Sequence, residues 1–298
     1  MLKEDLTIFE YRMQKEKKFT DIIKQERLLG RSEKISYFTV SCGYIDGYIY
    51  RPENYDKSFP LPIIFNFHGG GMVLSYCEQD AKYCQLIADK NNVAVINMDY
   101  AVAPEYKYPL PILSSYEFIS KLSNDADKYN LDRNKIAVMG HSAGGYISAA
   151  LCILNHEKQE FGIKALVANY PVLRQDKNVE LRQAKDLNKA IPVSRMQQYY
   201  NWYFEQDSDP SEWLASPCNA PGKIFPPTLI QSAEYDALVE EEEEFYHNLK
   251  QEGIEVKYKM YKNCMHGFTH DCLEEFNELA SEEAWETISV FLKKHLNK

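Results

Sequence analysis

The chain has no uninterrupted apolar run near the ~20 residues that a membrane span requires, and its first eighteen residues, from Met1 to Lys18, are too charged to be a secretory leader. A cytoplasmic location without membrane association is therefore expected. It has no Cys-x-x-Cys pair. Its seven cysteines (42, 77, 84, 152, 218, 264 and 272) are scattered and odd in number, which argues against a disulfide framework or a zinc site. It also lacks positive charge: 34 basic against 44 acidic side chains leave a net charge of −10. Such a surface repels nucleic acid, so none is expected as a partner. Internal repeats and low-complexity linkers are absent too.

The 298 residues are 45% hydrophobic and 26% charged, the composition of a globular chain with a large core. Length alone allows more than one domain, but the pattern reads as one unit over 1–298. Residues 1 to about 30 read as helical. Ile35–Val40 and Tyr44–Tyr50 read as an antiparallel pair. Beyond them, short apolar segments at 62–67, 93–98, 136–139, 165–168, 227–231 and 256–261 alternate with helical stretches at 112–129, 143–154, 239–251 and 282–296. That alternation predicts an α/β fold with a mostly parallel, buried sheet. About sixty residues separate the strands near 167 and 229, too many for one crossover. The stretch from Arg174 to Trp213 reads as a helical insertion above the sheet. The run Glu240–Glu244 reads as a solvated helix face.

Three segments carry chemistry. Gly140-His141-Ser142-Ala143-Gly144 fits G-x-S-x-G and stands between a strand and a helix, the context in which that motif presents a nucleophilic serine. Glycines at 140 and 144 relieve a turn too tight for side chains, and the helix start beyond it favours developing negative charge. His68-Gly69-Gly70-Gly71 follows an apolar strand and lets backbone N–H groups approach a ligand closely. One such donor on a developing oxyanion is worth about a hundred- to a thousandfold in rate. His68 itself is expected to bond the loop from the side. The serine needs a base. His266, in a loop just after the last strand, is the first candidate, and His270 is the reserve, expected to be solvated beside Asp271. His156, His247 and His295 fall on or beside helices and read as surface residues. The acid that orients the imidazole is sought just after the strand at 227–231, where Asp236 has Glu234 and Glu240 as rivals.

Taken together, His68 to Gly71, Asp99-Tyr100-Ala101-Val102-Ala103-Pro104-Glu105, Gly140 to Gly145, and Asp236-Ala237-Leu238 with His266-Gly267-Phe268 resemble the hormone-sensitive-lipase-like carboxylesterases, also called bacterial family IV esterases. The matches run in order from 68 to 268. The resemblance implies an α/β-hydrolase fold and a Ser142, Asp236 and His266 triad. It also implies oxyanion donors from the backbone of Gly70, Gly71 and Ala143, and a helical cap from about 1–30 and 174–215. The sequence departs from the family at His141, where Asp is usual, at Ala101, where Arg is usual, and at Ala237, where Pro is usual. Tyr199, Tyr200, Trp202, Tyr203 and Phe204 either wall an acyl pocket or pack the insertion onto the body.

The activity expected is hydrolysis of small, short-chain acyl esters, with no cofactor and no metal, and a small-molecule ester as the partner. A homodimer is left open. An amide or arylformamide hydrolase on the same triad is the alternative, and a binding protein that has lost catalysis is a third reading. An intact serine–acid–histidine set argues against the last.

Overall fold

The computed structural model describes residues 7–296. Its frame is one eight-stranded sheet. The strands are β1 (Ser32–Thr39), β2 (Gly43–Tyr50), β3 (Leu61–Phe67), β4 (Ala94–Asp99), β5 (Leu131–His141), β6 (Ile163–Asn169), β7 (Thr228–Ala233) and β8 (Val256–Tyr261). They lie in the order β1-β2-β4-β3-β5-β6-β7-β8. β1 pairs antiparallel with β2, and β2 antiparallel with β4. Every pairing from β4 through β8 is parallel.

Seven α-helices accompany the sheet among the described residues: α1 (Ile8–Leu29), α2 (Ala81–Asn91), α3 (Leu110–Asn124), α4 (Ala143–Lys158), α5 (Val193–Tyr203), α6 (Val239–Gln251) and α7 (Glu278–Leu296). None is long and apolar enough to cross a membrane. The side-chain period of two divides the core into layers. Ile63, Phe65 and Phe67 of β3 with Val138 of β5 meet α3, α4 and α6 through Phe118, Ile147 and Phe245. Ile64 of β3, with Ala137 and Met139 of β5, faces the other way, onto Ile87 of α2 and Trp285 and Ile288 of α7. Both faces are covered, which is why the central strands read as continuous apolar runs.

Several sequence expectations are corrected. Helix α2, Ala81–Asn91, is an addition to the expected elements. The helix expected over 112–129 stops at Asn124 and gives way to a 3-10 turn at Ala126–Tyr129. The insertion is mostly irregular, and its one α-helix is α5. The glutamate run is not simply solvated. Glu241 and Glu242 are buried: Glu241 accepts from the Leu173 N–H at 2.7 Å and pairs with Arg182, while Glu242 accepts from Ser232. The sequence shows only five like charges, but the helix turns two of them inward. His295 is also buried, its ring tilted against Phe291.

Helix α1 does not pack on the sheet faces. Arg12 donates to the carbonyls of Val73 and Ala103 and pairs with Glu105. Tyr11 meets Tyr199 and Trp202 of α5. The N-terminal segment and the insertion therefore lie together beside the loops that leave β3 and β4. The loops after β3, β5, β7 and β8 all leave the carboxyl ends of parallel strands, the edge where sites form in open α/β sheets.

Candidate active site

The turn after β5 is compressed. A Cβ at Gly140 would lie 2.2 Å from the backbone of Gly144, and one at Gly144 would lie 1.9 Å from the Phe67 carbonyl oxygen. Only glycine fits either place. Between them Ser142 sits at φ 55°, ψ −117°, a strained conformation for a residue with a side chain. Its N–H bonds the Asn169 carbonyl at 2.9 Å, and its carbonyl accepts from Tyr146 of α4. The strain is held by the sheet on one side and the helix on the other. The hydroxyl is thereby presented above the start of α4.

His266 reaches this hydroxyl from the loop after β8. Its Nε2 is 2.8 Å from Ser142 Oγ, and its Nδ1 is 2.5 Å from Asp236 Oδ2. The carboxylate accepts from Nδ1–H, which leaves Nε2 to accept from the serine. Asp236 is buried, and its other oxygen accepts from the Leu238 N–H at 3.2 Å. Gly267, at φ 89°, makes the turn that brings the ring round, and Tyr170 stands edge-on to the imidazole at 5.0 Å. The two rival acids lie elsewhere. Glu234 accepts from the Asn263 N–H at 2.8 Å and pairs with Lys185. Glu240 is an exposed partner of Lys177.

His68 is where the sequence placed it, bonding its own loop. Its Nδ1 donates to the Gly69 carbonyl at 2.8 Å and its ring stacks on Tyr100 at 4.4 Å. Burial lowers its pKa and keeps it neutral. The glycine loop it supports lies against the serine turn: a Cβ at Gly69 would be 3.5 Å from Ser142 Cβ. Gly70 and Gly71 take φ 130° and 63°, a region that disfavours any side chain.

His270 overturns its expectation. It is not solvated but 2% exposed, with Nε2 2.5 Å from Asp80 Oδ1 and Nδ1 2.9 Å from Thr269 Oγ1. His141 lies beside it, ring centroids 4.6 Å apart, and accepts at Nδ1 from Asn169. Burial, with His270 nearby, pushes the His141 pKa down to about 3, against the pull of Asp80. The residue that replaces the usual Asp is thus a neutral member of a buried polar cluster. Asp80, His141 and His270 offer ligand atoms within 4.8 Å of one another. Asp80 Oδ1 and His270 Nε2 are too close to share one ion, because a tetrahedral zinc with bonds near ~2.0 Å separates its ligands by about 3.3 Å. In this arrangement a proton joins those two atoms. Sequence reading missed Asp80, and a lone acid ahead of an unrecognised helix gave no signal.

In front of Ser142 lies a cavity. Its lining is largely apolar and includes Met72, Val172, Val179, Ile191, Met196 and Leu238. The aromatic cluster divides between the two roles foreseen for it. Tyr199 and Tyr200 line the cavity, and a Cβ at Gly71 would strike the Tyr199 ring at 2.5 Å. Tyr203 and Phe204 instead pack on Tyr108, and Tyr203 also on Tyr146. Gln175, Lys177 and Arg182, which sequence reading passed over, supply the polar part of the wall.

A family described as the alpha/beta hydrolase fold matches residues 64–270. The chain is 30% identical over 244 residues to the versiconal hemiacetal acetate esterase of Dothistroma septosporum, covering 77% of this chain and 73% of that one. It is 25% identical over 254 residues to the acetyl esterase of Salmonella schwarzengrund, covering 82% and 77%. Among solved structures, an esterase of Pyrobaculum calidifontis superposes with a TM-score of 0.87 at 28% identity, covering 98% of this chain and 94% of the other. These likenesses agree with the resemblance drawn from the motifs. The chain belongs to the alpha/beta hydrolase family and is a carboxylic ester hydrolase.

Proposed function

We propose that this hydrolase is a serine carboxylesterase of small, short-chain acyl esters, with Ser142 as nucleophile, His266 as general base and acid, and Asp236 as the group that orients the imidazole. The observation that carries the reading is the unbroken chain from Ser142 Oγ through His266 to Asp236, at 2.8 and 2.5 Å. His266 Nε2 takes the serine proton as Oγ attacks the ester carbonyl carbon. The oxyanion is received by the N–H groups of Gly70, Gly71 and Ala143, which have no loop or turn acceptor among the described residues. The intermediate collapses, the bond to the alkoxy oxygen breaks, and His266 returns the proton to the departing alcohol. Water then repeats the sequence on the acyl-enzyme and frees the acid.

The small acyl group rests on two supports. Tyr199 and Tyr200 line the same cavity as Ser142, and the two named relatives are an acetate esterase and an acetyl esterase. The test pairs chromogenic acetate, butyrate and decanoate esters with a fluorophosphonate label. A single label on the peptide carrying Ser142 is expected, with the acetate or butyrate ester turned over fastest. Ser142→Ala should lose about a thousandfold or more in kcat/KM. Activity surviving in Ser142→Ala, or faster turnover of decanoate, would overturn the respective part.

A further inference from the structure

The wall of the cavity in front of Ser142 holds two polar groups that nothing in the fold satisfies. Gln175 and Arg182 line the cavity and are 9% and 6% exposed. Gln175 Nε2 and Arg182 Nε are shut off from solvent and have no hydrogen-bond partner among the described residues. The other two guanidinium nitrogens are committed, one to Glu241 and one to the Arg174 carbonyl, each at 2.5 Å. Those bonds hold the guanidinium plane still. The Gln175 backbone N–H is likewise tied, to Ser216 Oγ at 2.8 Å. A buried N–H without an acceptor raises the free energy of the empty site and is relieved when a bound group supplies the acceptor. Arg182 Nε can only donate, so the polarity of this spot does not depend on which way the Gln175 amide is turned.

Resting on the reading of Ser142 as nucleophile with the acyl group in this cavity, we propose that the enzyme selects acyl groups bearing an uncharged hydrogen-bond acceptor, such as an oxo group, which Gln175 Nε2 and Arg182 Nε receive. The acceptor is uncharged because the cations of the wall are already matched: Arg182 pairs with Glu241, and Lys177 with Glu240. A carboxylate would enter with no free positive charge to meet it. A plain alkyl group would leave both donors buried and bare, and a site built to donate rejects the analogue that lacks the acceptor.

The experiment compares nitrophenyl esters of 3-oxobutanoic, 4-oxopentanoic and 5-oxohexanoic acids with those of 3-methylbutanoic, 4-methylpentanoic and 5-methylhexanoic acids, which have the same shapes. The succinic monoester is added, and each kcat/KM is divided by the ester's own hydroxide rate. At least one oxo ester should exceed its methyl twin by about tenfold. Gln175→Leu, close in shape, should remove most of that excess, bringing the oxo ester and its methyl twin to within about twofold of each other. Arg182→Met should act in the same direction, read beside its thermal unfolding because it strips Glu241 of a partner. If no oxo ester exceeds its twin, if the succinic ester is fastest, or if Gln175→Leu slows both members of a pair alike, the proposal falls. Failure of the underlying reading looks different: Ser142→Ala would then still hydrolyse the whole series.

Discussion

His270 Nε2 donates to Asp80 Oδ1 at 2.5 Å, and the same oxygen stands 3.8 Å from His141 Nε2. His270 is four residues beyond His266, and His141 immediately precedes Ser142. One buried carboxylate at the start of α2 thus stands against both the loop that carries His266 and the turn that carries Ser142. Breaking a buried pair on one side leaves the other partner uncompensated. Asp80→Ala should therefore lower the unfolding free energy by about 3 kcal/mol, measured by urea denaturation. A loss below about 1 kcal/mol, the range of an exposed pair, would show that the contact braces nothing.

The two histidines of this loop should separate by kinetics. His266 touches Ser142, and His270 touches Asp80. His266→Ala should abolish the burst of released alcohol that marks acyl-enzyme formation. His270→Ala should keep the burst and lower the thermal midpoint. A normal burst in His266→Ala would move the base role to another residue.

The acid should separate as cleanly. Asp236→Asn would offer an amide where His266 Nδ1–H needs an acceptor, and would favour the wrong tautomer. A fall in kcat of about ten-thousandfold is the scale of that change in other triads. Glu240→Gln removes only an exposed partner of Lys177, and should leave kcat within about twofold, since such pairs contribute little. The opposite ranking would make Glu240 the acid.

What was legible in the sequence followed from periodicity and local sterics. The central strands β3 to β7 announce themselves because burial on both faces makes them largely apolar. The turn at Gly140–Gly144 announces itself because only glycine fits there. What was not legible depends on distance in space. Asp80 means nothing until α2 brings it beneath His141 and His270. Glu241 and Glu242 read as surface because a run of like charges says nothing about which members a helix turns inward. Gln175 and Arg182 sit in an irregular insertion with no period to read.

The steric claim can be checked at one position. A Cβ at Gly144 would meet the Phe67 carbonyl oxygen at 1.9 Å, a backbone atom that cannot swing aside, whereas one at exposed Gly162 would meet nothing within 4 Å. Gly144→Ala should destabilise by at least about 3 kcal/mol and remove activity. Gly162→Ala should stay within about 0.5 kcal/mol of the parent. Comparable thermal midpoints for the two would refute the packing of the turn.

His141 supplies a prediction in pH. The fold holds it neutral down to about 3, chiefly by burial, with His270 adding to the effect and Asp80 opposing it. In the unfolded chain its pKa returns to about 6.5. A depressed pKa means that its contribution is fully present above about 6.5 and is lost as pH falls toward 3. Between pH 7 and 5 the unfolded state takes up a proton that the folded state refuses, at a cost of about 2 kcal/mol. Glu241 runs the other way in the same window. Burial raises it to about 7, so its folded form binds a proton that the unfolded form does not. Burial raises Glu242 and Asp99 as well, so the parent's own slope mixes these groups, and Asp80, lowered by His270 against the effect of burial, adds to it only at more acidic pH. The difference between parent and His141→Gln cancels the shared groups. On urea unfolding the variant should be less stable at pH 7, yet should lose about 2 kcal/mol less than the parent on going to pH 5. Parallel curves for the two proteins would mean that His141 takes up its proton at the same pH in the folded and unfolded chains, and that the fold does not hold it neutral.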